Sequence, residues 1–326
     1  MISDSYQRVI DYLRISITDR CNLRCVYCVP NKGIQLFEHD EVLTYEEIIR
    51  IIRVASTLGV KKIRITGGEP LLKKDLPFLI SSINRINGIE DISLTTNGTL
   101  LKKYAHELKE SGLKRLNISL DTFKTHRFRD ITRTGNIVDV LDGIEKAERL
   151  GFYPIKINMV PIRGINDDEI EDFARITINS RRHIRFIEYM PFGKRELWSP
   201  DKYISTQEIM DRLKAIAELE PVKERKTGPA RYYRFKDAEG VIGFISPITH
   251  HFCNHCNRLR LTSNGMFRPC LFSETEIDIK SALRKGCDDE EIKRLLKLSI
   301  EIKPKCHGLN HQRSIELFKP MSKIGG

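Results

Sequence analysis

Between about residues 10 and 216, two apolar periods alternate along the chain. Short β-branched runs at 12–17, 62–65, 91–94, 115–120, 154–160 and 183–189 read as buried strands. Between them, apolar residues recur every three to four positions, the period of a helix with one buried face. Thr44, with Glu47 three residues on, forms a capping-box pattern ahead of Ile48, Ile51, Ile52 and Ala55. Further helical stripes run through Leu101, Tyr104, Ala105 and Leu108, and through Ile137, Val140, Leu141, Ile144 and Ala147. Two more pass through Ile170, Phe173 and Ala174, and through Ile209 and Leu213. Strands alternating with helices imply parallel strands joined by crossovers. Six such units fall short of the eight of a closed TIM-type barrel. The expected class is therefore α/β, a partial (βα)6 barrel over residues 1–216.

After about residue 217 the rhythm breaks. Segments 231–235 and 241–246 read as short strands. Segments 258–262 and 266–271 flank Ser263-Asn264-Gly265, a hairpin signal. A two-residue loop there would pair Ser263 with Met266 and set Leu259 opposite Cys270. Helical patterns follow at 278–284 and 290–298. Residues 217–326 are expected to form a smaller α+β domain capping the open barrel.

Composition narrows the class. The 326 residues are 40% hydrophobic and 30% charged, which excludes disordered and fibrous chains. Lys and Arg exceed Asp and Glu by 55 to 44, a net charge of +11, which suits an anionic partner: nucleic acid, an anionic membrane or a phosphorylated metabolite. The basic residues are scattered, with only short runs such as 223–226, which argues against a nucleic-acid arm. No apolar run approaches the ~20 residues that span a bilayer, and residues 1–11 carry no secretory pattern. A cytoplasmic, reducing location is expected, where cysteines serve as free thiols or metal ligands.

Six of the eight cysteines fall into two triplets. Cys21, Cys25 and Cys28 lie within eight residues just after the first strand. No fourth Cys or His is near enough to close a tetrahedral zinc site locally. Three thiolates on a [4Fe-4S] cluster would leave one iron open to an outside ligand. A zinc site completed from afar, or buried structural thiols, are the alternatives. Polar groups mark the other strand ends: Gly67-Gly68-Glu69-Pro70 after the second, Thr95 and Asn97 at the third, Ser119 and Asp121 at the fourth, and Lys156 and Asn158 on the fifth. Met190 follows the sixth. In a barrel, reacting groups gather at these C-terminal strand ends.

The Cys-x3-Cys-x2-Cys spacing, with Tyr27 before the last cysteine and Gly67-Gly68-Glu69-Pro70 after strand two, resembles the radical S-adenosylmethionine (SAM) superfamily. The resemblance implies that SAM chelates the open iron and is cleaved to a 5′-deoxyadenosyl radical. It also implies that the glycines let backbone approach SAM without a side-chain clash.

Cys253, Cys256 and Cys270 form the second triplet, with His250, His251 or His255 as alternative fourth ligands for a zinc ion. Arg258 and Arg260 alternate along one strand and share a face, as a pair of guanidinium groups for phosphate would. The two-residue hairpin register puts Cys270 on the other face. A bulge or a different turn is needed if cysteines and arginines are to meet one substrate.

The run at 256–262, Arg268-Pro269-Cys270-Leu271, Leu13-Arg14-Ile15-Ser16 and the stretch from Phe186 to Gly193 are similar to the molybdenum cofactor biosynthesis branch of that superfamily, the GTP 3′,8-cyclases. That similarity implies two [4Fe-4S] clusters, on Cys21, Cys25 and Cys28 and on Cys253, Cys256 and Cys270. It implies SAM contacts from Tyr27, Gly68, Ser119 and Met190. GTP contacts would come from Arg14, Arg64, Thr95, Lys156, Arg258, Leu259 and Arg260. It further implies an external electron donor and hand-off of product to cyclic pyranopterin monophosphate synthase. A homodimer and a Gly325-Gly326 tail reaching the active site also belong to that picture. Cys287 and Cys306 match nothing in the motif and read as free thiols. A radical SAM peptide-modifying enzyme and a non-catalytic iron–sulfur or zinc RNA-binding protein are the competing readings.

Overall fold

The computed structural model describes residues 2–30, 32–191, 198–222, 228–307 and 321–324. Six parallel strands run β1 (Tyr12–Ser16), β2 (Lys62–Thr66), β3 (Asp91–Thr96), β4 (Arg115–Ser119), β5 (Lys156–Met159) and β6 (His183–Ile187), paired in chain order. Each agrees with a strand expected from the apolar runs. The helices between them are α1 (Tyr45–Thr57), α2 (Leu76–Asn84), α3 (Leu101–Glu110), α4 (Thr125–Thr132), α5 (Ile137–Arg149) and α6 (Ile170–Arg175), with α7 (Thr206–Lys214) following β6. The α1 capping box forms as expected: Thr44 Oγ1 accepts from the Glu47 amide, and the Glu47 carboxylate accepts from the Thr44 amide.

The C-terminal residues extend the same sheet at both edges. Strands β7 (Leu219–Pro221), β8 (Ala230–Phe235) and β9 (Val241–Ile245) join one side, with β9 parallel to β6. Strands β10 (Arg258–Leu261), β11 (Met266–Arg268) and β12 (Ile277–Asp278) join the other, with β10 parallel to β1. Among the described residues the order is β12-β11-β10-β1-β2-β3-β4-β5-β6-β9-β8-β7, an open twelve-stranded sheet whose central eight strands are parallel. Helices α8 (Lys280–Arg284), α9 (Asp289–Glu301) and α10 (Met321–Ile324) complete the chain. Leu259, Leu261, Phe267, Ile292 and Leu296 share one buried apolar cluster with Leu13, Ile63 and Leu94. Sheet and core thus run unbroken past residue 216.

One expectation is corrected. The hairpin after β10 pairs Arg260 with Arg268 and Leu261 with Phe267, not Ser263 with Met266. Its loop holds three residues and closes at Thr262, whose amide donates to Met266 O at 2.9 Å. Thr262 Oγ1 accepts the Met266 amide at 2.9 Å and donates to Asn264 Oδ1 at 2.7 Å. Gly265 turns the chain at φ +77°. A one-residue slip exchanges the faces of a strand. It brings Cys270 round to the face of Arg258 and Arg260, as the chemistry required.

Candidate active site

A cavity of about 1390 Å³ runs along the parallel strands, from their C-terminal ends near Cys21, Cys25 and Cys28 to their N-terminal ends, where Cys256 precedes β10. Both cysteine triplets line it, together with Tyr27, Gly68, Ser119, Met190, Arg14, Arg64, Thr95, Lys156, Arg258 and Arg260. Leu259 does not; its side chain is 1% exposed and lies in the apolar core on the other face of β10. Gly325-Gly326, Phe192, Gly193 and the 223–226 run lie outside the described residues.

The first triplet sits on a loop stapled from two sides. The amides of Arg24 and Val26 donate to Thr132 O and Ile131 O at the end of α4, at 2.9 and 2.8 Å. Arg133 Nη1 donates to Arg24 O and Val29 O, and Thr134 Oγ1 donates to Asn22 O. On the other side, Gly68 N donates to Thr18 O at 2.7 Å and Glu69 N to Arg20 O at 2.8 Å. A Cβ on Gly67 would lie 2.6 Å from Thr18 O, and one on Gly68 2.3 Å from Arg20 O. These glycines therefore serve first to seat the segment leading from β1 into Cys21. Glu69, fully buried, accepts from Thr96 Oγ1 at 2.7 Å, Asn97 N at 2.6 Å and Leu71 N at 3.0 Å. Burial lifts its carboxyl to about 7 despite these bonds.

The three thiols are half-buried and close enough to shift one another. Burial, then Cys28, Asp121 and Cys21, push Cys25 well above the ordinary thiol range. Burial and Cys21 lift Cys28 to about 12. Burial also raises Cys21. Tyr27 donates to Asp121 Oδ2 at 2.5 Å, and burial raises Asp121 to about 6. Free cysteines crowded this closely with acidic neighbours suit a polynuclear metal group, whose positive charge would hold them as thiolates.

The second triplet differs at Cys256, whereas burial raises Cys253 to about 11 much as it raises the first three thiols. Lys303, 3% exposed, donates from Nζ to Arg258 O at 2.8 Å and Pro269 O at 2.6 Å, tying the Cys256 strand to the Cys270 segment. Burial alone would raise Cys256, but Arg258 and Lys303 outweigh it and bring the thiol to about 6. This set also fits a metal group, with a thiolate already favoured.

Between the triplets lies a row of cations. In register across adjacent strands stand Arg260, Arg14 and Arg64, then Ser93 and Arg115. Burial, then Arg260 and Arg64, lower Arg14 well below its ordinary value. Burial, then Arg258, lower Arg260 to about 9. Tyr12, buried among Arg64, Arg14, Arg258 and Arg115, is pulled below the ordinary phenol value against the effect of burial. The lining holds twelve Lys and Arg against four Asp and Glu, so much of the chain's cationic surplus faces this one space. Thr95 Oγ1 and Asn158 Oδ1 are buried there without a hydrogen-bond partner among the described residues. A polyanion carrying polar groups would relieve both conditions.

Sequence reasoning missed several members. Arg185, 4% exposed, lines the cavity and donates from Nη2 to Asn117 Oδ1 at 2.5 Å. Arg185 interrupts the apolar β6 run just as Arg64 interrupts β2, a signal the sequence does carry. Lys303 and Tyr12 carried no such signal, since helix ends and strand starts commonly hold Lys and Tyr.

Comparison with known proteins agrees with this geometry. Residues 15–176 match the radical SAM superfamily, and residues 182–309 match the family described as Molybdenum Cofactor Synthesis C. Among solved structures, Streptococcus suis SuiB bound to S-adenosylmethionine aligns with a TM-score of 0.61 at 17% identity, covering 97% of this chain and 77% of that one. Methylornithine synthase (PylB) aligns at 0.54 and 15% identity, covering 91% and 84%. These likenesses establish the fold: an open α/β barrel of the radical SAM type. The protein is a radical SAM enzyme. GTP 3′,8-cyclase of Thermodesulfovibrio yellowstonii is 50% identical to it, and that of Pelotomaculum thermopropionicum 48%, each alignment covering 100% of both chains. The chain belongs to the GTP 3′,8-cyclase family.

Proposed function

We propose that this chain converts GTP to 3′,8-cyclo-7,8-dihydro-GTP, the opening step of molybdenum cofactor synthesis. The observation that carries the reading is the buried cationic row Arg260–Arg14–Arg64 facing a cavity with a cysteine triplet on either side. Cys21, Cys25 and Cys28 would hold a [4Fe-4S] cluster that, when bound, supplies the electron cleaving SAM to the 5′-deoxyadenosyl radical that takes the ribose C3′ hydrogen. Tyr27, Gly68, Ser119 and Met190 line the same cavity and would contact SAM. Arg14, Arg64, Lys156, Arg258 and Arg260 would grip the triphosphate. Each charge-assisted contact contributes about 1.5–3 kcal/mol, and binding would relieve their mutual repulsion. Thr95 would satisfy its buried hydroxyl on the nucleoside. Cys253, Cys256 and Cys270 would hold a second [4Fe-4S] cluster at the guanine end.

Residues 1–216 then form the SAM-cleaving part, and 217–326 the part that completes the GTP pocket. The walls exclude water from the carbon radicals. The electron comes from an external donor in a reducing cytoplasm, and the product passes to cyclic pyranopterin monophosphate synthase. No helix among the described residues is long and apolar enough to cross a membrane.

The test is anaerobic incubation of reconstituted protein with SAM, GTP and a reductant. The expected result is 5′-deoxyadenosine with a cyclised guanosine product. SAM cleavage that GTP neither accelerates nor couples to a new nucleotide would overturn the reading.

A further inference from the structure

Cys306 was left without a role by the sequence, yet it stands in a built place. Its Sγ, Cys253 Sγ and a ring nitrogen of His307 all lie within 4.8 Å of one another. Arg8 assembles this corner. Its Nη1 donates to Cys253 O at 2.8 Å and Lys305 O at 3.0 Å, and its Nη2 to Pro304 O at 2.8 Å. Asp4 in turn holds Arg8 through a buried ion pair of 2.6 Å. The Cys306 thiol and the His307 amide both hydrogen-bond Cys253 Sγ. His307 Nε2 lies 2.8 Å from Pro247 O, which can only accept. The same Nε2 lies 2.9 Å from His251 Nδ1, which itself lies 2.8 Å from Pro247 O, so the two rings and this carbonyl fix the imidazole beside the thiols.

A tetrahedral ion with bonds of about 2.0–2.3 Å holds its ligand atoms about 3.3–3.8 Å apart. Thiolates on separate irons of a cubane cluster stand farther apart. Among the described residues, Cys253, Cys306 and His307 are the set whose ligand atoms gather within 4.8 Å, so that small side-chain shifts would bring them to one ion. Two thiols and an imidazole are the donor set of zinc or ferrous iron. Cys253 and His307 line the cavity, whereas Cys306 is exposed, so an ion arriving from solvent meets Cys306 first.

We propose that Cys253, Cys306 and His307 form a mononuclear site for zinc or ferrous iron in the chain that lacks its second cluster. The ion displaces one proton from each thiol and leaves a fourth position for water. Because Cys253 is shared, an occupied ion site and a cluster on Cys253, Cys256 and Cys270 exclude each other. That second consequence rests on the proposed function; the ion site does not.

The test is titration of metal-free, reduced full-length protein with Zn²⁺, and with Co²⁺ as a spectroscopic probe, in a Cys21→Ser/Cys25→Ser background that silences the first triplet. Cys306→Ser and His307→Ala are expected to weaken binding at least about tenfold each, and Cys306→Ser to diminish the sulfur-to-cobalt charge-transfer band. Cys256→Ser is expected to retain the parent affinity. Parent-like binding in Cys306→Ser and His307→Ala would overturn the site. Loss of the ion in Cys256→Ser, with circular dichroism unchanged, would also overturn it by placing the ion in the triplet. In the otherwise native chain, Zn²⁺ is expected to slow loading of the second cluster, and Cys306→Ser to relieve that block. Equal slowing in both would overturn the exclusion. A chain that never gains a second cluster without zinc would defeat the two-cluster reading and leave the ion titration standing.

Discussion

The two cysteine triplets look alike in sequence and differ in surroundings. The first sits beside Asp121, and burial and mutual repulsion keep its thiols protonated. The second sits beside Arg258 and Lys303, which favour a thiolate at Cys256. The difference follows from position. The first triplet is carried on the loop after β1 near the acidic end of β4. The second flanks β10, the strand that brings Arg258 and Arg260 to the cavity. A cluster among anionic neighbours is harder to reduce than one among cations. If each triplet holds a cluster as proposed, the one at Cys21, Cys25 and Cys28 is expected to be the stronger reductant and the one at Cys253, Cys256 and Cys270 the more easily reduced.

Variants in each triplet break the comparison most sharply. Cys25→Ser should abolish both 5′-deoxyadenosine and cyclised product. Cys270→Ser should abolish the product while leaving uncoupled SAM cleavage, both read by chromatography. Equal loss of SAM cleavage in the two would erase the proposed division of labour. Next in size is Arg258→Ala with Arg260→Ala. Losing two charge-assisted contacts at about 1.5–3 kcal/mol each should weaken GTP binding by about 10²–10⁴-fold. Calorimetry would check this, with SAM binding unchanged.

A smaller effect is local to the first triplet. Gly68→Ala places a methyl 2.3 Å from Arg20 O, against backbone that cannot move without shifting the Cys21 loop. Overpacking of this kind costs about 1–3 kcal/mol. It should lower the iron retained by the first triplet, read in a Cys256→Ser background, more than that retained by the second, read in a Cys21→Ser/Cys25→Ser background.

The gentlest test is alkylation of the metal-free protein against pH. Thiolate forms as pH rises through the pKa, so Cys256 labelling should climb through about pH 6 and level off by neutrality. Cys28, lifted to about 12, should still be accelerating at the alkaline end of the range. Lys303→Met should move the Cys256 curve to higher pH.

Much of this was legible in the chain. The six barrel strands follow from β-branched runs, and the outer helices from their stripes. Helix α2 escaped because Phe78, an exposed aromatic, interrupts the contrast around buried Leu76, Leu79, Ile80 and Ile83. Polar-rich α4 escaped because only Phe128, Ile131 and Thr132 are buried. The hairpin register turned on one residue, because Thr262 closes the loop through its hydroxyl. That β9 and β10 extend the parallel sheet at opposite edges depends on long-range pairing, which no local period encodes. The cysteines announced themselves by their spacing, and Arg64 entered only through the family similarity. Lys303, buried and bridging two strands by its ammonium, did neither.

The central claim is that the two triplets each hold a cluster on either side of one GTP cavity. Iron and acid-labile sulfide analysis after anaerobic reconstitution tests it most directly. The account predicts about eight of each per chain, falling to about four in Cys253→Ser/Cys256→Ser and to about four in Cys21→Ser/Cys25→Ser. About four in the unaltered chain, unchanged by loss of the second triplet, would contradict it.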